Sequence, residues 1–375
     1  MQSSSGRYRP SLDQMRGVAS YLVFCWHFVH VDDVLSVRGG DAAIWPLSMI
    51  SMGYIGVAMF MVLSGYLFAA LTMDRQVHWP TFMRNRVLRL APLLVFALSL
   101  ALLKSHLKGE DLGLGERLLW GWLLPVLPQG AWSITVECHF YALLPLLLWL
   151  GRGRPWAWAA LIVAAMALRG ALHARGAPID YLSSLTIVGR IDQFLAGMLM
   201  WQFKDALRGR WIIPAVAFLG FSAFMSYIDH VGAPSEPGLH PLALWVILPT
   251  IEAIGFALLI GWWDVLRDGG QPGLVGRFWA LSGRVSYSMY LLHTFWVFQV
   301  ARWCHERLHA HWTPESAIAL ATLLFAMSVP VAMLSHRFVE VPFLRLRKAY
   351  VTPRPQLVHQ AAAPDRVALP LKDAA

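Results

Sequence analysis

Charge is scarce in this sequence: Asp, Glu, Lys and Arg together make up 14% of its 375 residues, whereas 57% are hydrophobic and the mean hydropathy is +0.51. A water-soluble domain carries roughly a quarter of its residues as charges. The scarcity therefore excludes a soluble globular fold and leaves lipid as the solvent for most of the chain. Cysteine is rarer still. Cys25, Cys138 and Cys304 have neither metal-ligand spacing nor the even number of a disulfide framework, and Cys25 and Cys138 sit inside apolar runs as small core residues. No metal is expected. Internal repeats of fixed period are lacking too. Acidic residues are outnumbered 22 to 31, for a formal net charge of +9. The Lys and Arg fall in short clusters between apolar runs rather than on one amphipathic element, which is a membrane topology signal and not a nucleic-acid surface.

What the sequence has in quantity is long apolar runs. A helix needs about 20 apolar residues to cross the hydrocarbon, and ten runs meet or approach that length, near 12–31, 51–72, 88–104, 131–150, 156–172, 185–203, 211–228, 243–263, 285–303 and 317–339. They predict an all-α integral membrane protein, a bundle of about ten transmembrane helices. The fifth run is short and interrupted by Arg169, which makes it the weakest of the ten. The stretch Leu118 to Pro128, broken by Pro125, is too short to cross and reads as re-entrant or interfacial. Most basic residues lie in loops that share a side with the N-terminus, which places both termini in the cytoplasm. The first run lacks a small-residue cleavage site and is read as a retained helix. Residues 1–11 then form a cytoplasmic leader and 12–347 the transmembrane domain. Residues 348–375, with Pro353, Pro355, Pro364 and Pro370 among Ala and charges, are expected to be a disordered cytoplasmic tail. The outer loop Asp229 to Pro241, holding Gly and Pro, is expected to be mobile.

A few ionisable residues interrupt the runs. Arg16 and His27 are eleven positions apart, which returns to within about 20° of one helix face and rises about 16 Å. With Arg16 at the inner boundary, His27 falls roughly halfway through a core about 30 Å thick. A charge there costs about 2.5–3.5 kcal/mol or more, so a functional role is the default, against a neutral imidazole hydrogen-bonded between helices. Glu137, Arg190, Asp192 and Glu252 are intramembrane as well. They fit catalytic or binding groups and interior ion pairs equally well. Arg84, Arg86 and Arg89 cluster at the inner edge of the third run, where they serve either as topology anchors or as phosphate grips.

The motifs around these residues resemble a known family. Leu12-Asp13-Gln14-Met15-Arg16-Gly17-Val18-Ala19 followed by His27 is similar to the opening signature of the acyltransferase 3 family, membrane-bound O-acyltransferases that decorate bacterial lipopolysaccharide, peptidoglycan and exopolysaccharides. Gly56 to Tyr66, Phe82 to Pro92 with its three arginines, and Trp132-Ser133-Ile134-Thr135-Val136-Glu137 with Phe140 and Tyr141 resemble its next motifs. Arg190 to Gly197, Gly283 to His293, and Arg337 to Phe343 complete an ordered set covering about 12–347. One departure is visible: Cys138 and His139 stand where the family usually shows a second Glu and a Gln, leaving Glu137 as the one acidic candidate of that motif.

The resemblance implies acyl transfer from a coenzyme A thioester, with acetyl the favoured group, to a glycan hydroxyl. It marks Arg16 and His27 as the functional pair, with Glu137 beside them. Arg84, Arg86 and Arg89 suit the nucleotide end of acyl-CoA, because guanidinium groups grip phosphate oxygens in forked geometry. A neutral His27 would serve as general base or, alternatively, as nucleophile. Arg190, Asp192, Trp132 and Ser133 are candidates for acceptor binding. His293, Tyr287 and Tyr290 match the family pattern and stand as supporting residues. The expected setting is the bacterial inner membrane. A multi-pass solute transporter or flippase is the competing reading; such folds tend to show paired repeats with helices broken at matching positions, which this sequence lacks.

Overall fold

The computed structural model describes residues 8–30, 43–73, 75–109, 113–128, 130–151, 154–231, 242–308 and 312–353. Most of the leader, the outer loop beyond 231 and the tail from 354 lie outside the described residues. The described chain is helical apart from two three-residue strands. Helix α1 spans Pro10–Val29, α2 Ile55–Thr72, α3 Trp79–Lys108, α4 Trp132–Gly151, α5 Pro155–Ala174 and α6 Ile187–Phe203. Then follow α7 Ile212–Val231, α8 Leu242–Leu266, α9 Leu274–Arg284, α10 Ser286–Leu292, α11 Val297–Leu308 and α12 Pro314–Ser335. Proline stands in the first turn of α1, α3, α5 and α12, where its missing N–H has no intrahelical partner to lose. Helix α3 ends on Gly109 at φ 68°, a left-handed stop that glycine adopts without a Cβ clash. Helix α12 opens on a capping box in which Thr313 and Ser316 satisfy each other's backbone N–H.

Seven helices among the described residues are long and apolar enough to cross a membrane: α2, α3, α4, α5, α7, α8, and α12 with its continuation to Leu344. Nine of the ten sequence runs appear as single helices. The run 285–303 does not. It breaks into α10, a tight turn at His293–Phe295, and α11. The break has a local cause: His293 Nδ1 donates to the carbonyl of Tyr290 at 2.7 Å, the acceptor that a continuing helix would give to the N–H of residue 294. The fifth run, interrupted in sequence by Arg169, is an unbroken α5, because the Arg169 side chain finds partners in the interior rather than bending the helix.

Two crossings hold the bundle together, and both depend on glycine. Gly65 of α2 lies against the backbone carbonyl of Phe194 in α6, and Gly197 of α6 against that of Val62 in α2. A Cβ at either position would overlap that backbone, so small residues here allow the close packing that drives helix association in lipid. Gly17 of α1 and Gly283 of α9 make the same close crossing through the carbonyls of Trp279 and Asp13. Gly197→Leu is expected to abolish correctly folded protein. Size-exclusion profiles in detergent check this, and a monodisperse peak at wild-type yield would contradict the tight crossing.

The chain on one side of the bundle is tied by its ends. Strand β1, Arg75–Val77, pairs antiparallel with β2, Val351–Pro353. Lys348 exchanges backbone hydrogen bonds with the Asn85 side chain at 2.7 and 3.2 Å, and Tyr350 is buried against Phe82. Residues 348–353, assigned from sequence to a disordered tail, are thus tied to the bundle through their backbone and the buried Tyr350, because Asn85 and the β1 edge supply partners from far away in the chain.

Candidate active site

Elements from both ends of the chain enclose a cavity of about 1150 Å³. Eight arginines line it: Arg9, Arg16, Arg75, Arg86, Arg89, Arg284, Arg337 and Arg347. The carboxylates in its wall are Asp13 and Glu137. Asp13 holds Arg16 at 2.8 Å, one helical turn away. Arg89 faces Glu340 at 3.4 Å. Glu340 is almost fully buried and also accepts from Ser288 Oγ at 2.6 Å. It stands on a short π-helical turn, His336–Glu340, inserted between α12 and the final helical turn Val341–Leu344, an irregularity common at functional sites. Arg86 lies across the rings of Phe68, Phe82 and Tyr141, and its buried Nε has no partner. Burial, followed by the neighbouring Arg89 and Arg86 charges, holds Arg347 below its ordinary pKa. So many cations with so few carboxylates make this wall a site for a polyanion.

Of the three arginines expected to grip the nucleotide, two line the cavity and one does not. Arg84 is exposed and absent from the lining. At 100° per residue Arg86 and Arg89 fall about 60° apart on α3, whereas Arg84 is turned about 160° from Arg86. The loss is outweighed by arginines that the sequence reading left aside. Arg9, Arg75, Arg284, Arg337 and Arg347 converge from regions hundreds of residues apart. The available signal was their place near the ends of apolar runs, which says nothing about convergence.

Deeper in the wall, Ser133 at the start of α4 shares a 2.7 Å hydrogen bond with the Tyr290 hydroxyl on α10. Tyr290 also donates to the Gly130 carbonyl. One turn further along α4, Glu137 accepts a hydrogen bond from Tyr141. Ser133, Glu137, Tyr141 and Tyr290 all line the cavity. Behind Tyr290 comes His293, whose ring stands 4.8 Å from that of His27, edge to face. His27 itself is not in the lining of the described cavity. Helix α1 begins at Pro10, so Arg16 lies about 9 Å along it and His27 about 26 Å. His27 is therefore near the far end of α1, with Arg16 in its second turn.

The remaining candidates have other neighbours. Asp192 pairs with Arg169 at 2.9 Å, both side chains wholly buried, and accepts from Thr250 at 2.5 Å. Arg169 donates as well to the carbonyls of Val246, Val188 and Gly189. Arg190 faces Glu252 at 3.3 Å and lies over the Trp132 ring. Gln193 donates to Glu252 at 2.9 Å. Arg190, Asp192 and Trp132 thus knit α4, α5, α6 and α8 together and are not in the lining of the described cavity. Asp264, unnoticed in the sequence, ties the entry of α1 to α2 and α8: it pairs with Arg9 and accepts from Ser11 at 2.8 Å and Tyr66 at 2.7 Å.

Glu340 fixes where Arg89 points. Replacing it with Gln removes the charge and keeps the shape, so Glu340→Gln is expected to weaken donor binding several-fold with little change in turnover. Donor KM and kcat measured separately decide this, and an unchanged KM would show that Arg89 needs no such anchor.

Membrane-length helices around an arginine-walled cavity, with two facing histidines nearby, are compatible with a membrane enzyme that handles an anionic substrate. The family model described as an acyltransferase domain matches residues 9–337, and the chain belongs to that family, acyltransferase 3. It is an acyltransferase of groups other than aminoacyl. Among its relatives is the acyltransferase MdmB of Streptomyces mycarofaciens, 27% identical over 376 residues and spanning 90% of this chain and 92% of that protein. The exopolysaccharide production protein ExoZ of Rhizobium meliloti (strain 1021) is 27% identical over 276 residues, covering 67% of this chain and 79% of ExoZ. No solved structure gives a significant match.

Proposed function

We propose that this protein is a bacterial inner-membrane O-acyltransferase that takes an acyl group, acetyl in the first instance, from cytoplasmic acyl-CoA and delivers it to a hydroxyl of an extracytoplasmic or lipid-linked glycan. Both termini then lie in the cytoplasm, and α1, α6 and the broken α10–α11 join the seven long apolar helices in a bundle of about ten. Residues 12–347 form the catalytic domain.

One observation carries the reading. Arg16 and His27 share a face of α1, with the arginine cavity around the first and an imidazole pair around the second. The phosphates of coenzyme A suit the cavity, where Arg86 and Arg89 would form charge-assisted hydrogen bonds worth about 1.5–3 kcal/mol each. The flexible pantetheine arm reaches past Ser133, Glu137 and Tyr290 and presents the thioester toward His27. A neutral His27 takes the proton of the attacking hydroxyl as its oxygen bonds to the thioester carbonyl carbon. The carbon–sulfur bond then breaks and the thiolate recovers the proton. The relative named for exopolysaccharide production supports a glycan acceptor.

Purified protein in liposomes with labelled acetyl-CoA tests the reading: label should appear in acceptor and free coenzyme A should accumulate. Arg86→Ala with Arg89→Ala is expected to weaken donor binding about 100-fold or more, two such contacts being lost. Unchanged donor affinity in that double variant would move the nucleotide elsewhere, and solute uptake without transfer would point to a carrier.

A further inference from the structure

His293 is 2% exposed, and its Nε2 has no hydrogen-bond partner. A buried polar atom without a partner is destabilising, and such an atom beside a site needs a reason. The other nitrogen is firmly held: Nδ1 lies 2.7 Å from the Tyr290 carbonyl and 3.1 Å from that of Met289. Carbonyl oxygens only accept, so Nδ1 carries a proton, and in the neutral ring, which burial without a partner at Nε2 favours, Nε2 presents a bare lone pair. His27 repeats the arrangement on the neighbouring helix, with its Nδ1 2.9 Å from the Val23 carbonyl. Its Nε2 is bare for the same reason. The two imidazoles face one another at 4.8 Å, each anchored through Nδ1 and, in the neutral form, able only to accept at Nε2. The fold spends the continuity of a membrane-level helix on this, because the same Tyr290 carbonyl that fixes the His293 tautomer is the one lost to the break after α10. Phe24 and Phe298 border the two rings, at 6.0 Å from His293 and 6.2 Å from His27, so the pair stands among apolar ring surfaces.

We propose that His293 is a second contact for the acceptor, whose Nε2 accepts a hydrogen bond from the hydroxyl adjacent to the one that His27 deprotonates, so that the enzyme selects a vicinal diol. In the transfer step the attacked oxygen loses its proton to His27 Nε2 and gains the acyl carbon. The proton passes to the departing thiolate. His293 keeps its own proton at Nδ1 throughout and takes none, so its part is to choose and hold the acceptor. This rests on the reading of His27 as the base.

The test uses the full-length chain in cells that carry it, against cells that lack it. Ester-linked acetyl is released from surface glycan by mild alkali and counted, and its position on the intact glycan is mapped by two-dimensional NMR. The ester is expected on a carbon whose neighbour carries a free hydroxyl. His293→Gln, which restores an accepting oxygen, should keep a substantial part of the acetyl content, while His293→Phe should lose at least 10-fold at equal amounts of monodisperse protein. An ester on a hydroxyl with no free hydroxyl on either neighbouring carbon overturns the proposal. So does a His293→Phe variant as active as wild type, or one no worse than His293→Gln. If His27→Ala also leaves acetylation intact, the base reading falls; if only the His293 expectations fail, that reading stands and the diol contact alone is lost.

Discussion

Removal of the His27 imidazole, as His27→Ala, is expected to lower acyl transfer by about 10²–10⁴-fold, the usual contribution of a positioned general base. Donor affinity should be nearly untouched. Arg16 is eleven residues back along α1, about 16 Å away, and the other cavity arginines stand with it. The effect should therefore fall on kcat, with the donor KM within about two-fold of wild type. This split separates loss of the base from general disorder of α1, which would damage both ends of the helix together. Transfer at near the wild-type rate in a monodisperse His27→Ala protein would remove this imidazole from the mechanism.

Arg169→Ala is expected to be as damaging by a different route. The substitution strands the Asp192 carboxylate, wholly buried, with only Thr250 left as a polar side-chain partner. It also deprives the Val246, Val188 and Gly189 carbonyls of a donor. Breaking a buried ion pair by removing one partner costs about 3–5 kcal/mol, a large share of the roughly 5–15 kcal/mol that a folded protein has in hand. The expected result is a strongly lowered unfolding midpoint in detergent or no folded protein at all. Arg169→Met combined with Asp192→Leu should recover much of that loss, since an apolar pair of similar volume replaces the ions without leaving either one alone. If the double variant is also active, Asp192 serves the fold rather than the acceptor. A wild-type midpoint for Arg169→Ala would show that the pair holds nothing together.

These two residues illustrate what could be read from the chain. His27 was legible because an ionisable residue inside an apolar run is costly enough to demand a reason, and its phase with Arg16 follows from helix geometry alone. Arg169 misled: in one dimension it weakens the fifth run, and Asp192 on α6 fits a binding group and an interior ion pair equally well, with nothing to name Arg169 as its partner. The ion pair joins positions 23 residues apart across two helices, and no local pattern announces it. Arg84 parts from Arg86 and Arg89 for a simpler reason, since a cluster in sequence is not a cluster on a helix face. His293 sat in a motif that was noticed, yet nothing in the sequence showed that its own side chain would break the helix and leave it facing His27.

The sequence by itself determined the solvent, the helical class, the approximate position of nearly every long helix and the family, because burying a backbone in lipid requires continuous apolar runs and the motifs recur in order. Only the tertiary structure decided which charges meet. Eight arginines from both ends of the chain form one wall, Arg190 and Asp192 become struts, and two histidines 266 residues apart come together. The physical reason is that helix formation is governed by neighbours three or four residues away, whereas the energy of a buried charge depends on whatever the fold places within a few ångströms of it.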